Sequence, residues 1–224
     1  MGSFKGFGKQ ALPFFTALKF HQDKAWFDEN RALYQGDVLD PMVALLDDLT
    51  AAFAANGVPL RADGKKAIFR IHRDVRFAKD KSPYKTNCGA VMSRTGTKME
   101  PGLLYIHIGT EGCFVAAGFY MPDAPVLAKL RKAITASPAK WKAVEAALKK
   151  GKLALGTDSQ LTRIPRGFED QKDGPLDGVL RLKSFLVREP LTEKQITSAK
   201  LADRIVDFAD RAQPLLAFGW TAID

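Results

Sequence analysis

Apolar residues first recur along the chain at helical spacing. Leu12, Phe15 and Leu18 share one side of a helix predicted over residues 10–20, and a second helix is predicted over 23–35 with Asp23 as its N-cap and Gly36 at its end. Asp40-Pro41 reads as an N-cap followed by proline at the first helical position. Met42, Leu45, Leu46, Leu49 and Phe53 then keep a 3.6-residue period until Gly57. From residue 67 the period changes to two. Segments 67–71, 88–93, 103–109 and 113–120 are short runs rich in β-branched and aromatic residues, each bounded by turn residues, and read as strands. The last two flank Thr110-Glu111 as a hairpin. In that register Ile106 faces Val115, Leu104, Ile108 and Cys113 join the core face, and Tyr105, His107 and Phe114 lie on the other.

Helical patterning returns at 124–136 behind Asp123 and at 138–150 behind Ser137. Residues 152–178 read as irregular, and 181–188 as a fifth strand. Thr192 and Gln195 fit a capping box, and Leu201, Ile205, Phe208, Ala212 and Leu215 line one face of a long C-terminal helix. Strands gathered between helical blocks, rather than alternating with them, predict an α+β fold with a mainly antiparallel sheet packed by helices from both ends of the chain. No repeat, low-complexity tract or long Gly/Ser/Pro linker divides the 224 residues, so a single domain is expected over the whole length.

Composition narrows the class without naming a function. Hydrophobic residues make up 46% and charged ones 26%, and no apolar run approaches the roughly 18 residues of a membrane helix. The first residues lack the apolar stretch of a secretory signal, and Gly6 stands where a myristoylation signal needs Ser or Thr, so a cytoplasmic protein without membrane attachment is expected. Cys88 and Cys113 fall outside any C-x-x-C pattern and read as buried, reduced thiols.

Charge is where the chain departs from the ordinary. The net charge is +9, and residues 65–85 hold eight basic side chains against Asp74 and Asp80, which places six of those nine charges in one short segment. Arg70, Arg73, Arg76, Lys81 and Lys85 leave a predicted strand for a turn at Ser82-Pro83, where arginine forks and lysine ammoniums can gather on one anion. Tyr84 and Tyr105 can stack on a ring and Asn87 can hold an amide or hydroxyl, which completes the candidate ligand-binding set. His107 is the weak candidate for acid–base catalysis. Trp26, Asn30 and Tyr34 form a helical stripe that reads mostly as core.

The run Phe69 to Asn87 resembles the signature of an uncharacterised protein family, domain of unknown function 2461. So do Trp26-Phe27-Asp28-Glu29-Asn30-Arg31 with Tyr34, the strand 112–120, and Pro165-Arg166-Gly167-Phe168. The resemblance spans nearly the whole chain and implies one fold, but it carries no activity. The residues themselves leave three readings open. One is a pocket for a phosphate-bearing or other anionic small molecule. The second is a nucleic-acid module using the same charges. The third is a scaffold in which Arg73 or Arg76 pairs with Asp74, and Lys79 or Lys81 with Asp80, to pin a loop. Phosphate-binding glycine loops, H-E-x-x-H and G-x-S-x-G are absent, and three scattered histidines with two cysteines indicate no dedicated zinc site. No cofactor, oligomeric state or turnover follows from the sequence.

Overall fold

The computed structural model describes residues 3–224. The fold is α+β, with a four-stranded antiparallel sheet of β1 (Asn87–Met92), β2 (Leu103–Gly109), β3 (Cys113–Phe119) and β4 (Phe185–Leu191) in the order β1-β2-β3-β4. By contact density the chain falls into two compact units. The first holds the residues up to Lys98 with 105–115 and 190–207, and the second holds 99–104, 116–189 and 208–224.

The first unit begins with α1 (Ala11–Phe20) and α2 (Lys24–Glu29), the latter capped by Asp23, whose Oδ1 accepts the Trp26 N–H at 2.9 Å. The expected helix over 23–35 does not run unbroken, nor does Gly36 end it. The chain turns at Asn30, makes the short α3 (Arg31–Leu33), widens into a π-helical turn over Tyr34–Leu39 and continues directly into α4 (Asp40–Ala55). Pro41 explains the widening. It has no N–H for the Asp37 carbonyl four residues back, and the Gly8 N–H takes that carbonyl instead at 2.9 Å. Met42, Leu45, Leu46, Leu49 and Phe53 are all fully buried on the inner side of α4.

A second correction concerns residues 67–71. They form no strand. A 3-10 turn covers Gly64–Ala67, and the extended residues after it touch β1 only through the isolated pair Ile68 and Ala90, with Phe69 N–H donating to Gly89 O at 2.8 Å. The outward carbonyls find other partners: Ile68 O accepts Lys98 Nζ at 2.6 Å and Arg70 O accepts Lys85 Nζ at 2.9 Å. Lysine ammoniums thus occupy the hydrogen-bonding edge that a neighbouring strand would need.

The hairpin keeps its expected alternation. Leu104, Ile106 and Ile108 are buried, while His107 stacks on Phe114 across the other face, rings 4.7 Å apart and 10° from parallel. After it the first unit returns through the Thr192 capping box, α8 (Glu193–Ile196) and the start of α9 (Leu201–Ile223).

The second unit contains α5 (Ala124–Ala136), α6 (Pro138–Lys150) and α7 (Asp177–Leu180). Asp123 caps α5 through the Val126 N–H at 3.0 Å. Buried Arg131 donates to Leu180 O at 2.8 Å and Leu182 O at 3.0 Å, fixing the segment that leads into β4. The predicted strand over 181–188 starts late, at Phe185, because Arg181 is held in the helical turn by its ion pair with Asp177 at 2.7 Å. Gly118 is required where it stands, since a Cβ there would lie 2.0 Å from Phe185 O. Among the described residues no helix is long and apolar enough to cross a membrane.

Candidate functional site

The basic segment separates into two parts whose cations are partnered differently. The first is the loop between the paired residues His72 and Tyr84, closed by Arg73 N–H to Pro83 O and Lys85 N–H to Ile71 O, both 2.8 Å. Both of its arginines are matched internally. Arg76 grips Asp74 through two parallel bonds, Nε to Oδ1 at 3.0 Å and Nη2 to Oδ2 at 2.7 Å, and Arg73 pairs with Asp80. Ser82 donates its hydroxyl and backbone N–H to Asp80 at 2.6 and 2.9 Å. These bonds, with Arg73, hold the Asp80 carboxyl far below the usual carboxylate range. Lys81 Nζ reaches the Val75 carbonyl at 2.9 Å.

Tyr84 anchors this loop to the core rather than facing a ligand. It is 4% exposed, stacks on Phe27 with rings 4.6 Å apart and 15° from parallel, and its N–H donates to Gln22 Oε1 at 2.9 Å. Arg73, Arg76, Lys81 and Tyr84 therefore share one loop but do not converge on a common opening.

The second part is a cavity of about 500 Å³ lined by Tyr34, Leu39, Lys65, Ile68, Phe69, Arg70, Lys85 and Lys98. Four of the eight are cations and none is an acid. Phe69 sits among them, 36% exposed, with Lys98 Nζ 5.1 Å and Lys85 Nζ 5.6 Å from its ring centroid. Both ammoniums are aimed by the carbonyls of the irregular strand-like segment, Lys98 by Ile68 O and Lys85 by Arg70 O. Each keeps further N–H capacity for a ligand, since an ammonium has three donors. Burial, reinforced by Arg70 and Lys98, holds Lys85 below the ordinary lysine pKa. Burial does the same to Lys98. Burial pushes the Tyr34 phenol well above its usual value, so it stays a protonated donor at neutral pH.

Such an arrangement is costly without a counter-ion. The cost falls on Lys85, whose ammonium is opposed by burial and by the Arg70 and Lys98 charges, and no carboxylate lines the cavity to offset them. An anion with several oxygens would answer that imbalance with charge-assisted hydrogen bonds.

The remaining sequence candidates lie beside the cavity. Tyr105 meets Phe69 edge-on at 6.2 Å, and its hydroxyl lies 3.0 Å from His107 Nδ1. Gly89 makes room for that phenol, because a Cβ at this position would be 2.5 Å from Tyr105 Oη. Burial keeps His107 below the ordinary histidine pKa, hence neutral near pH 7, and the imidazole is sandwiched in the sheet-face aromatics rather than in the cavity lining. Asn87 opens β1 and packs under Gly109. Asn30 uses its amide on the Trp26 carbonyl at 2.9 Å, which ends α2.

Of the expected ligand set, then, Arg70 and Lys85 line the cavity, with Tyr105 against its Phe69 wall. Lys65, Lys98, Phe69 and Tyr34 complete it and were not singled out as ligand residues in the sequence. Lys98 lies in a turn 30 residues beyond Ile68, and Tyr34 belonged to a stripe that read as core.

A family model described as a conserved hypothetical protein, domain of unknown function 2461, matches residues 10–218. Neither a curated protein nor a solved structure matches the chain.

Proposed function

We propose that the chain, which belongs to this family of conserved hypothetical proteins, binds a small phosphate- or carboxylate-bearing molecule in the cavity beside Phe69. The observation that carries the reading is the lining itself, with Lys65, Arg70, Lys85 and Lys98 and no carboxylate among them. Lys85 and Lys98 supply point charges from fixed positions, Arg70 adds a planar fork, and Phe69 offers apolar surface for the body of the ligand. Tyr34 contributes a neutral donor. A nucleic-acid groove has less support, because Arg73 and Arg76, which would contribute to it, are already matched with Asp80 and Asp74.

Thermal unfolding with pyrophosphate, glycerol phosphate and malonate, each against chloride at matched ionic strength, tests the reading. A ligand at a hundred times its dissociation constant stabilises the fold by about 2.7 kcal/mol, or roughly 5–10 °C for a domain of this size. Lys98→Met and Lys85→Met are expected to lose most of that shift. Equal responses to all anions and to chloride would overturn the proposal.

A further inference from the structure

The cavity holds two lysines, and their surroundings differ in a way that bears on chemistry as well as on binding. Lys85 is fixed from both ends: its backbone N–H bonds to Ile71 O at 2.8 Å and its Nζ to Arg70 O at 2.9 Å. The charged side chains acting on it are Arg70, from the segment that supplies the carbonyl, and Lys98, from the turn before β2. Cys88 of β1 also lies near, but burial pushes its thiol up to about 12, so it brings no charge at neutral pH. No carboxylate lines the cavity. An amine in such a place sheds its proton more readily than a surface lysine, which is the condition for a nucleophile. Lys98 has burial alone acting on it.

We propose that Lys85 is a carbonyl-binding nucleophile, forming an imine with an anionic aldehyde or ketone whose carboxylate or phosphate is held by Lys98, Arg70 and Lys65. The inference rests on the anion-binding reading of the same cavity. The ammonium first gives a proton to solvent. The Nζ lone pair then attacks the carbonyl carbon, a C–N bond forms, and a proton passes from nitrogen to the carbonyl oxygen. Loss of that oxygen as water leaves the C=N double bond. No electrons are exchanged with an outside agent, and the step reverses by adding the water back. The ligand class is thus a 2-oxo acid or a phosphorylated aldehyde or ketone, in which the anion and the carbonyl lie a few bonds apart.

Trapping with glyoxylate and cyanoborohydride near pH 7, read by peptide mass spectrometry, tests it. Lys85 is expected to gain the carboxymethyl group faster than the well-exposed lysines of the same chain, the direction its lowered pKa gives. In Lys98→Met, which removes one of the neighbouring cations, the pH–rate midpoint for Lys85 should move upward. Lys85→Arg should remove the preferred site altogether. Labelling that merely follows exposure, or an unmoved midpoint in Lys98→Met, overturns the proposal. Inorganic phosphate separates the two readings. If it still raises the melting temperature while Lys85 shows no preference, the imine fails and the anion pocket stands. If phosphate does neither that nor slow the labelling, both fail.

Discussion

The loop 73–82 and the cavity beside Phe69 draw on the same run of basic residues, yet they use it in opposite ways. In the loop each arginine has a carboxylate partner, Arg76 with Asp74 and Arg73 with Asp80, and Lys81 is bound to a carbonyl. In the cavity Lys65, Arg70, Lys85 and Lys98 face one opening with no acid in its lining. A count of charges treats these regions alike. What separates them is pairing, because a matched exposed ion pair contributes little and attracts little, whereas the half-buried Lys85 and Lys98, with no carboxylate in the lining, are disfavoured as cations and attract an anion.

The largest effect that sharpens this contrast is on stability. Tyr84→Ala removes a buried ring stacked on Phe27 and is expected to cost about 3–5 kcal/mol in urea unfolding, since Tyr84 belongs to the scaffold. Phe69→Ala, at a ring already 36% exposed, should cost about 1 kcal/mol while removing the anion-dependent thermal shift. A Phe69 variant that keeps the full shift would break the assignment of the cavity wall.

Next in size is the ligand response itself. Arg76→Lys and Arg73→Lys lose a planar fork in the loop and should retain the pyrophosphate shift of roughly 5–10 °C expected of the parent chain. Loss of the shift in these variants, with its retention in Lys98→Met, would reverse the roles of the two regions.

The two regions should also answer to opposite ends of the pH scale. Lys85 and Lys98 have folded pKa values lowered from 10.5, so just below 10.5 the unfolded chain holds more protons and stability rises as pH rises through that window. Lys98→Met should flatten the rise. An anion favours the charged amines, so its binding should take up protons and weaken in the same alkaline window. Asp74 and Asp80 have folded pKa values lowered from 3.8, so their contribution is fully present above 3.8 and is lost as pH falls below it. Both carboxylates are in contact with solvent, and the acid-side effect should be the smaller. Smallest of all, Asp74→Asn should move the melting temperature by no more than about 2–4 °C, as for other exposed pairs.

Much of the fold is legible in the sequence where one local rule decides. Asp23 and Asp123 cap helices, Thr192 and Gln195 make their box, and alternation along 103–109 gives the hairpin its faces. The departures arise where distant groups compete for the backbone. Pro41 reads as the start of a helix, yet the Gly8 N–H satisfies the carbonyl that proline leaves open, and the helix runs on from the π-turn. Residues 67–71 carry strand-like composition, yet they meet β1 only at the Ile68 and Ala90 pair, and their outward carbonyls are taken by Lys85 and Lys98. The same competition hides the site. The concentration of positive charge in 65–85 was plain, and ion pairing with Asp74 and Asp80 was one reading of it. Nothing in the composition of the turn at Thr97-Lys98-Met99, however, marks Lys98 as facing Phe69. Tyr34 was hidden differently, since a residue lining a cavity and a residue filling a core keep the same helical spacing.

A crystal grown with tungstate, whose anomalous signal locates each bound anion, addresses the division between cavity and loop most directly. Tungstate oxygens within hydrogen-bond reach of Lys85 Nζ and Lys98 Nζ, with the Arg76–Asp74 and Arg73–Asp80 pairs intact, are the predicted result. Tungstate bound at Arg73 and Arg76 with Asp80 and Asp74 displaced, and none beside Phe69, would contradict it.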